Sequence, residues 1–109
     1  MTLDAEDTKI ITLARSARAR NGTAEGAAVR DETGRTYVAT DVALPSLKLS
    51  AVQVAVAMAV SSGAAGLEAA ALVSEAEEPA PDDIAAIEDI GNAILYLVGP
   101  DGEVKGRYV

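Results

Sequence analysis

The small size of the apolar residues is the feature that most constrains how this chain can fold. Half of the 109 residues are hydrophobic, yet the sequence has no Phe, no Trp and only three Tyr, at positions 37, 96 and 108. Its other apolar residues are nearly all Ala, Val, Leu and Ile. Because a protein interior is packed without large voids, we expect small-residue helices to lie close to β-branched strands. A chain of this length can bury such a core without disulfides or structural metals.

Helical and extended patterns alternate along the sequence. A first helix is predicted to begin after Asp4 or Asp7 and to stop at Asn21-Gly22, a second helix covers residues 48–61, and a third runs from Asp82 or Asp83 to Ile90. The strands are predicted at residues 25–30, 36–42, 67–73, 93–98 and 103–109, the last as an edge strand. The order α-β-β-α-β-α-β-β predicts a layered α/β fold, formed by a single domain over residues 1–109.

The absence of Cys and His restricts the chemistry that the chain can carry. A Ser-His-Asp triad, a cysteine nucleophile and disulfides are excluded. Thiolate and imidazole, two of the three ligand types of catalytic zinc, are missing. The phosphate-loop pattern G-x-x-x-x-G-K-[ST] does not occur either.

Charge and hydropathy indicate which partners to expect. The net charge of −8 argues against a nucleic-acid partner, which requires a positive surface. We interpret the basic residues Lys9, Arg15, Arg18 and Arg20 as a solvated helix face. The longest apolar run, residues 54–60, is too short to cross a membrane, and the acidic N-terminus lacks the features of a signal peptide. We expect no membrane contact and, by default, a cytoplasmic location.

Several segments resemble the cytidine deaminase family over most of residues 10–105. Residues 26–29 (Gly-Ala-Ala-Val) match its V-G-A-A-[LV] strand, and Thr33-Gly34-Arg35 fits its D-G turn. Residues 51–63 resemble the helix that follows the C-A-E motif, and residues 81–91 take the place of P-C-G-x-C-R-Q and its helix. The resemblance implies a cytidine deaminase-like layered fold with a mixed five-stranded sheet and about three helices. It also implies a homo-oligomer, a dimer or tetramer, since family members build their sites at subunit contacts.

The positions that carry the family's chemistry hold other residues in this chain. The zinc-binding Cys of C-A-E falls on Ser50, and the proton-shuttling Glu falls on Val52. The two Cys of P-C-G-x-C fall on Asp82 and Ala85, and the Asn of the ribose-contacting N-V-E falls on Asp41. Deamination requires a metal-bound hydroxide and a carboxylate that moves protons. We therefore expect a degenerate family member, a pseudoenzyme with no cofactor, no metal ligands and no catalytic residues, and not an enzyme.

Three residues are candidate remnants of a substrate pocket: Asp41, Ser50 and Asp82. With Asp83 they form a set of four residues whose oxygen atoms could suit a hard metal such as Mg²⁺, because the family fold would bring positions 50 and 82 together at two helix N-termini. Ser and Asp are also ordinary helix caps, and we favour that role. A nucleoside- or nucleotide-binding sensor, with Asp41 hydrogen-bonded to a sugar hydroxyl, is the alternative function, and an enzyme with a different chemistry, which would need a carboxylate cluster or a bound metal in the pocket, is the third.

The second helix is the candidate subunit interface. It is apolar on nearly its whole circumference, and such a helix is buried on several sides. We predict that Val52, Val56 and Val60 contact another copy of the chain. The favoured function is that of a homo-oligomeric interaction or scaffold protein of unknown pathway, with a further protein partner that the sequence does not identify.

Overall fold

A mixed sheet lies between two layers of helices in the computed structural model, which describes residues 3–109. The elements are α1 (Ala5–Asn21), β1 (Gly26–Asp31), β2 (Thr36–Thr40), β3 (Val42–Leu44), β4 (Leu47–Leu49), α2 (Ala51–Ser61), β5 (Leu67–Val73), α3 (Pro81–Glu88), β6 (Ile94–Val98) and β7 (Val104–Tyr108). The first two residues, which belong to the predicted domain and to its acidic N-terminus, lie outside the described residues.

The five-stranded sheet has the strand order β2-β1-β5-β6-β7. Strands β5 and β6 are parallel, and the other neighbouring strands are antiparallel. Parallel neighbours need a crossover connection, and α3 lies in that connection. The predicted layered α/β fold, with a mixed five-stranded sheet and three helices, is confirmed. Strand β7 lies at the edge of the sheet, as its alternating charged residues predicted.

Helix α1 begins and ends where local signals predicted. The Asp4 side chain accepts a hydrogen bond from the Asp7 N–H at 2.8 Å, and Gly22 ends the helix with a φ of 63°. The buried face of α1 lies very close to β1, because a Cβ atom added at Gly26 would stand 2.1 Å from the carbonyl oxygen of Ala14. This contact confirms that small residues allow helix and sheet to approach closely.

The core is divided between the two faces of the sheet. Helix α1 covers one face, where its buried residues pack against Ala28, Ala69, Ala71, Val73 and Val98. Helices α2 and α3 cover the other face, where Val52 and Ile87 join the same cluster as Leu72, Leu95 and Leu97. Among residues 3–109, no helix is both long and apolar enough to span a membrane.

The region before α2 differs from its prediction. The helix was expected over residues 48–61, but it begins at Ala51. Strands β3 and β4 precede it and pair with each other as a separate two-stranded sheet, with Val42 opposite Leu49. Ser50 marks the boundary, since its extended backbone and capping side chain start the helix only after the hairpin closes. The predicted strand 36–42 accordingly ends at Thr40.

Candidate functional site

Polar side chains from five segments meet at one end of the sheet. Glu25 precedes β1, Asp41 follows β2, Ser74 follows β5, Ser50 caps α2 and Asp83 lies in the first turn of α3. The strand register explains part of this convergence: Gly26 pairs with both Thr40 and Val73, so residue 25 lies beside residues 41 and 74. We refer to Glu25, Asp41, Ser50, Ser74 and Asp83 as the polar cluster.

Ser50 connects the two helices of this face. Its hydroxyl donates a hydrogen bond to Oδ1 of Asp83 at 2.5 Å and accepts one from the Gln53 N–H at 3.1 Å. Gln53 returns the interaction, because its Oε1 accepts a hydrogen bond from the Ser50 N–H at 2.9 Å. The two bonds form a capping box. Ser50 is therefore both the cap of α2 and the bridge to α3.

Glu25 lies at the N-terminal end of α2. Burial raises the pKa of its carboxyl group, and the nearby Asp83 and Asp41 raise this pKa further. Hydrogen bonds from the Ala51 N–H and the Ser74 hydroxyl lower the pKa of Glu25, but they offset this increase only in part. The Asp41 carboxylate accepts a hydrogen bond from the Glu25 N–H at 2.9 Å. Asp41 thus holds the start of β1 in place.

Asp83 is the most deeply buried acid of the polar cluster, at 2 % exposure. Burial raises the pKa of its carboxyl group, the hydrogen bond from Ser50 opposes that effect, and the negative charge of Asp82 adds to it. Glu25 and Asp83 therefore both have raised pKa values because of burial and of a nearby negative charge, which is that of Asp83 for Glu25 and that of Asp82 for Asp83. Such groups can accept or donate protons nearer neutral pH than an ordinary carboxylate.

The structure brings together two of the three residues predicted for the pocket. Asp41 and Ser50 belong to the polar cluster, but Asp82 is exposed on the outer side of α3. Asp83 takes its place, because consecutive helical residues point about 100° apart and α3 starts at Pro81. Sequence reasoning missed Ser74, and it also missed Glu25. A charged residue directly before the apolar run of β1 was the signal that could have revealed it.

The three residues predicted for the interface occupy different environments. Val52 is completely buried in the chain's own core and Val56 is 8 % exposed, whereas Val60 is 48 % exposed. The prediction for Val52 needs correction, because its side chain is already enclosed by the residues of that core. Val60 borders a groove of about 360 Å³ between α2 and α3. We call it the α2–α3 groove; Leu49, Gln53, Val56, Ala57, Ala86, Asp89 and Ile90 also line it.

The donor atoms of the polar cluster do not fit a zinc ion. Its side chains offer carboxylate and hydroxyl oxygens only, whereas zinc sites in proteins are dominated by thiolate and imidazole ligands. Within the described part of the chain, no three acidic side chains are arranged so that they could hold a metal ion. Ser50 and Asp83 instead satisfy each other through their hydrogen bond.

Three solved structures with a similar fold are those of cytidine deaminases. The enzyme from Burkholderia pseudomallei aligns with a TM-score of 0.80 and 21% identity, over 92% of this chain and 89% of that chain. The enzyme from Mycobacterium leprae aligns with a TM-score of 0.69 and 22% identity, over 94% and 95% of the two chains. A point mutant of the Mycobacterium tuberculosis enzyme aligns with a TM-score of 0.69 and 24% identity, over 88% and 85%.

These comparisons contradict the prediction that the chain is not an enzyme. The proteins that share its fold are enzymes by name, and the absence of Cys and His is not strong evidence against activity. The polar cluster gives no evidence that catalytic activity is missing, since Glu25 and Asp83 have carboxyl groups with raised pKa values. The prediction is therefore wrong as it was made.

The sequence itself shows the family. No curated protein sequence matches this chain significantly. A family profile described as cytidine deaminase-like matches residues 3–102, which is nearly the whole chain. The matched range includes every residue of the polar cluster and all of the sheet except β7. This chain belongs to the cytidine deaminase-like family.

Proposed function

We propose that the protein is a homo-oligomeric interaction protein that associates with copies of itself through the α2–α3 groove and the adjoining β3–β4 hairpin. The observation that carries the proposal is the concentration of exposed apolar side chains on these elements. Leu44 is 54 % exposed, Leu47 47 %, Met58 39 % and Val60 48 %. Clustered apolar surface of this kind marks protein–protein contacts more often than isolated exposed residues do.

The shape of α2 supports this assignment. Its innermost residues pack on the sheet, while Gln53, Val56, Ala57 and Val60 follow helical spacing along the wall of the groove. Apart from Asp89, the groove carries no ionised side chain. A second copy could bury this surface without leaving several charges unpaired, and unpaired buried charges are costly.

Molar mass measured by light scattering across a range of protein concentrations tests the proposal. We expect the wild-type chain to form dimers or larger assemblies, and Val60→Glu to weaken association at least tenfold, since a carboxylate would be buried in an apolar contact. Val104→Glu is the matched control, because Val104 is 37 % exposed but lies on the edge strand β7. A monomeric wild type, or equal effects of the two variants, would contradict the proposal.

A second candidate function is binding of a nucleoside-type ligand at the polar cluster. Its support is the pair of carboxyl groups with raised pKa values beside Ser50, which is one of the three residues predicted from the sequence for a substrate pocket. Glu25 and Asp83 could exchange hydrogen bonds with base or sugar groups, and in their protonated form they would also donate. Gln53, which is hydrogen-bonded to Ser50, also lines the α2–α3 groove, so the polar cluster lies next to the groove.

Thermal unfolding with a panel of nucleosides and nucleotides tests this second function, with release of ammonia measured in the same samples. A ligand at 100 times its dissociation constant adds about 2.7 kcal/mol of stability, which raises the midpoint by several degrees. Asp83→Asn should weaken the effect, and Asp82→Asn, a matched change at an exposed neighbour, should not. If no compound shifts the midpoint and none is turned over, the candidate fails.

Four other expectations from the sequence stay predictions: a single domain, a cytoplasmic location, the lack of a nucleic-acid partner and a further protein partner.

A further inference from the structure

A concave pocket on the opposite face of the sheet carries two of the chain's few cations. It has a volume of about 260 Å³ and lies between α1 and the turn that follows β6. Its main lining residues are Thr12, Arg15, Ser16, Arg18, Val73 and Pro100. We call it the α1–Pro100 pocket. It is separate from the polar cluster and does not depend on the function proposed above.

Both arginines are held in position by neutral acceptors. Nη2 of Arg15 donates a hydrogen bond to the carbonyl oxygen of Pro100 at 3.2 Å, and Nε of Arg18 donates one to the carbonyl oxygen of Ala24 at 3.0 Å. The turn also packs directly on Arg15, since a Cβ atom at Gly102 would stand 2.8 Å from its Nη1. Each guanidinium has five N–H donors, so these contacts orient the groups and leave donors for a ligand.

Within the described residues, neither arginine of the pocket forms an ion pair with an acidic side chain within 4 Å. The sequence has 17 Asp and Glu residues against 9 Lys and Arg. Among residues 3–109, the ion pairs within 4 Å are nevertheless both made by Arg30, with Asp7 and Glu68. The two oriented guanidinium groups therefore make this pocket a positive site on a protein whose net charge is negative.

Hydroxyl groups complete the lining on the same stripe of α1. Thr12, Arg15 and Ser16 follow the i, i+3, i+4 spacing that places side chains on one helix face. The Thr12 hydroxyl donates to the carbonyl oxygen of Thr8 at 3.1 Å. The Ser16 hydroxyl has no hydrogen-bond partner within the described chain, so it is available as a donor.

We propose that the α1–Pro100 pocket binds the phosphate group of a small phosphorylated molecule. Guanidinium groups match the oxygens of phosphate in paired hydrogen bonds, and a serine hydroxyl adds a further donor. The pocket volume is below that of typical drug-sized ligand sites, which suits one anionic group and a short attached portion. Asp101 and Glu103 line a neighbouring cavity that also includes Pro100, so binding is expected to be salt-dependent and selective for small anions over long polyanions.

Titration of isotope-labelled protein with inorganic phosphate, followed by amide NMR shifts at constant ionic strength, tests the proposal. We expect saturable shifts in the Thr12–Ala19 segment of α1 and in residues 99–102, and no such shifts when chloride replaces phosphate. Ser16→Asp should weaken binding at least tenfold by charge repulsion. Ser16→Asn introduces a side chain of the same shape as Asp but without its charge, and this variant should still bind phosphate. Ser16 is exposed, so both variants should fold.

A second pair of variants separates a specific site from a general charge effect. Arg18→Gln removes a guanidinium that lines the pocket, and Arg20→Gln removes one on the same helix that does not. Arg18→Gln should lower the affinity at least tenfold, and Arg20→Gln less than threefold. The proposal is overturned if wild type shows no saturable shift, if Ser16→Asp binds as well as Ser16→Asn, or if both arginine variants lose affinity equally.

Discussion

Replacing Tyr96 by Phe should destabilise the protein by about 2–3 kcal/mol, because it removes the hydrogen-bond donor of a buried carboxylate. Tyr96 lies in β6 at 2 % exposure, and its hydroxyl donates to Oδ2 of Asp7 at 2.5 Å. The other oxygen of Asp7 lies 3.0 Å from Nη2 of Arg30, but the geometry of that contact falls short of a hydrogen bond. Arg30 also pairs with Glu68 at 2.9 Å. The phenol therefore supplies the hydrogen bond, and Arg30 supplies charge.

The other two tyrosines provide matched controls for the same chemical change. The Tyr37 hydroxyl donates to Oδ2 of Asp31 at 3.0 Å, but Asp31 also accepts three hydrogen bonds from Thr33 and Arg35. Losing one of four donors should cost about 1 kcal/mol or less. The Tyr108 hydroxyl makes no hydrogen bond to any residue in the described range. Its replacement should change stability by less than about 0.5 kcal/mol.

Urea unfolding followed by circular dichroism measures the series. With a slope of about 1–3 kcal/mol per molar urea, Tyr96→Phe should lower the midpoint by roughly 1 M or more, and Tyr37→Phe and Tyr108→Phe by progressively less. The transition should remain two-state, as is usual for a domain of this size. If Tyr96→Phe costs no more than Tyr108→Phe, the contact between Tyr96 and Asp7 contributes nothing and the reasoning is refuted.

Two further predictions follow from the site and its supports. Gly26→Ala should unfold the chain or displace α1, because the added Cβ would lie 2.1 Å from the Ala14 carbonyl oxygen. Gly66→Ala is the control and should be tolerated, because its added Cβ has its nearest contact at 3.4 Å. Thermal melting of the two variants measures the difference. The raised pKa values of Glu25 and Asp83 mean that the folded state binds their protons more tightly than the unfolded state does. Their contribution to stability is full below the unfolded pKa values and is lost as pH rises through the folded ones. Relative to a variant carrying Glu25→Gln and Asp83→Asn, the wild type should therefore gain stability as pH falls from 7 toward 4. Urea unfolding of both proteins across this pH range measures the difference, and parallel pH profiles would contradict the raised pKa values.

Local signals in the sequence were sufficient to predict the features that depend on neighbouring residues alone. The limits of α1 follow from a capping Asp4 and from Gly22, whose positive φ ends the helix. The strands β1, β5 and β6 follow from short apolar runs between turn residues, and the close approach of α1 to β1 follows from Gly26 and Ala14. These features depend on capping, periodicity and side-chain size, which neighbouring residues determine among themselves.

The candidate site was decided by tertiary structure. Ser50 was found from the resemblance, but the choice of Asp83 over Asp82 depends on the rotation of α3 against α2, and one residue along a helix turns a side chain by about 100°. The burial of Val52 depends on which side of α2 meets the sheet, although nearly all sides are apolar. Glu25 joins the polar cluster only because β1 pairs with both β2 and β5. The sequence by itself thus determined the three helices, the five strands of the main sheet and the smallness of the core, but not the β3–β4 hairpin. The fold determined which distant side chains share burial and charge, because those interactions act through space between segments that are far apart in the sequence.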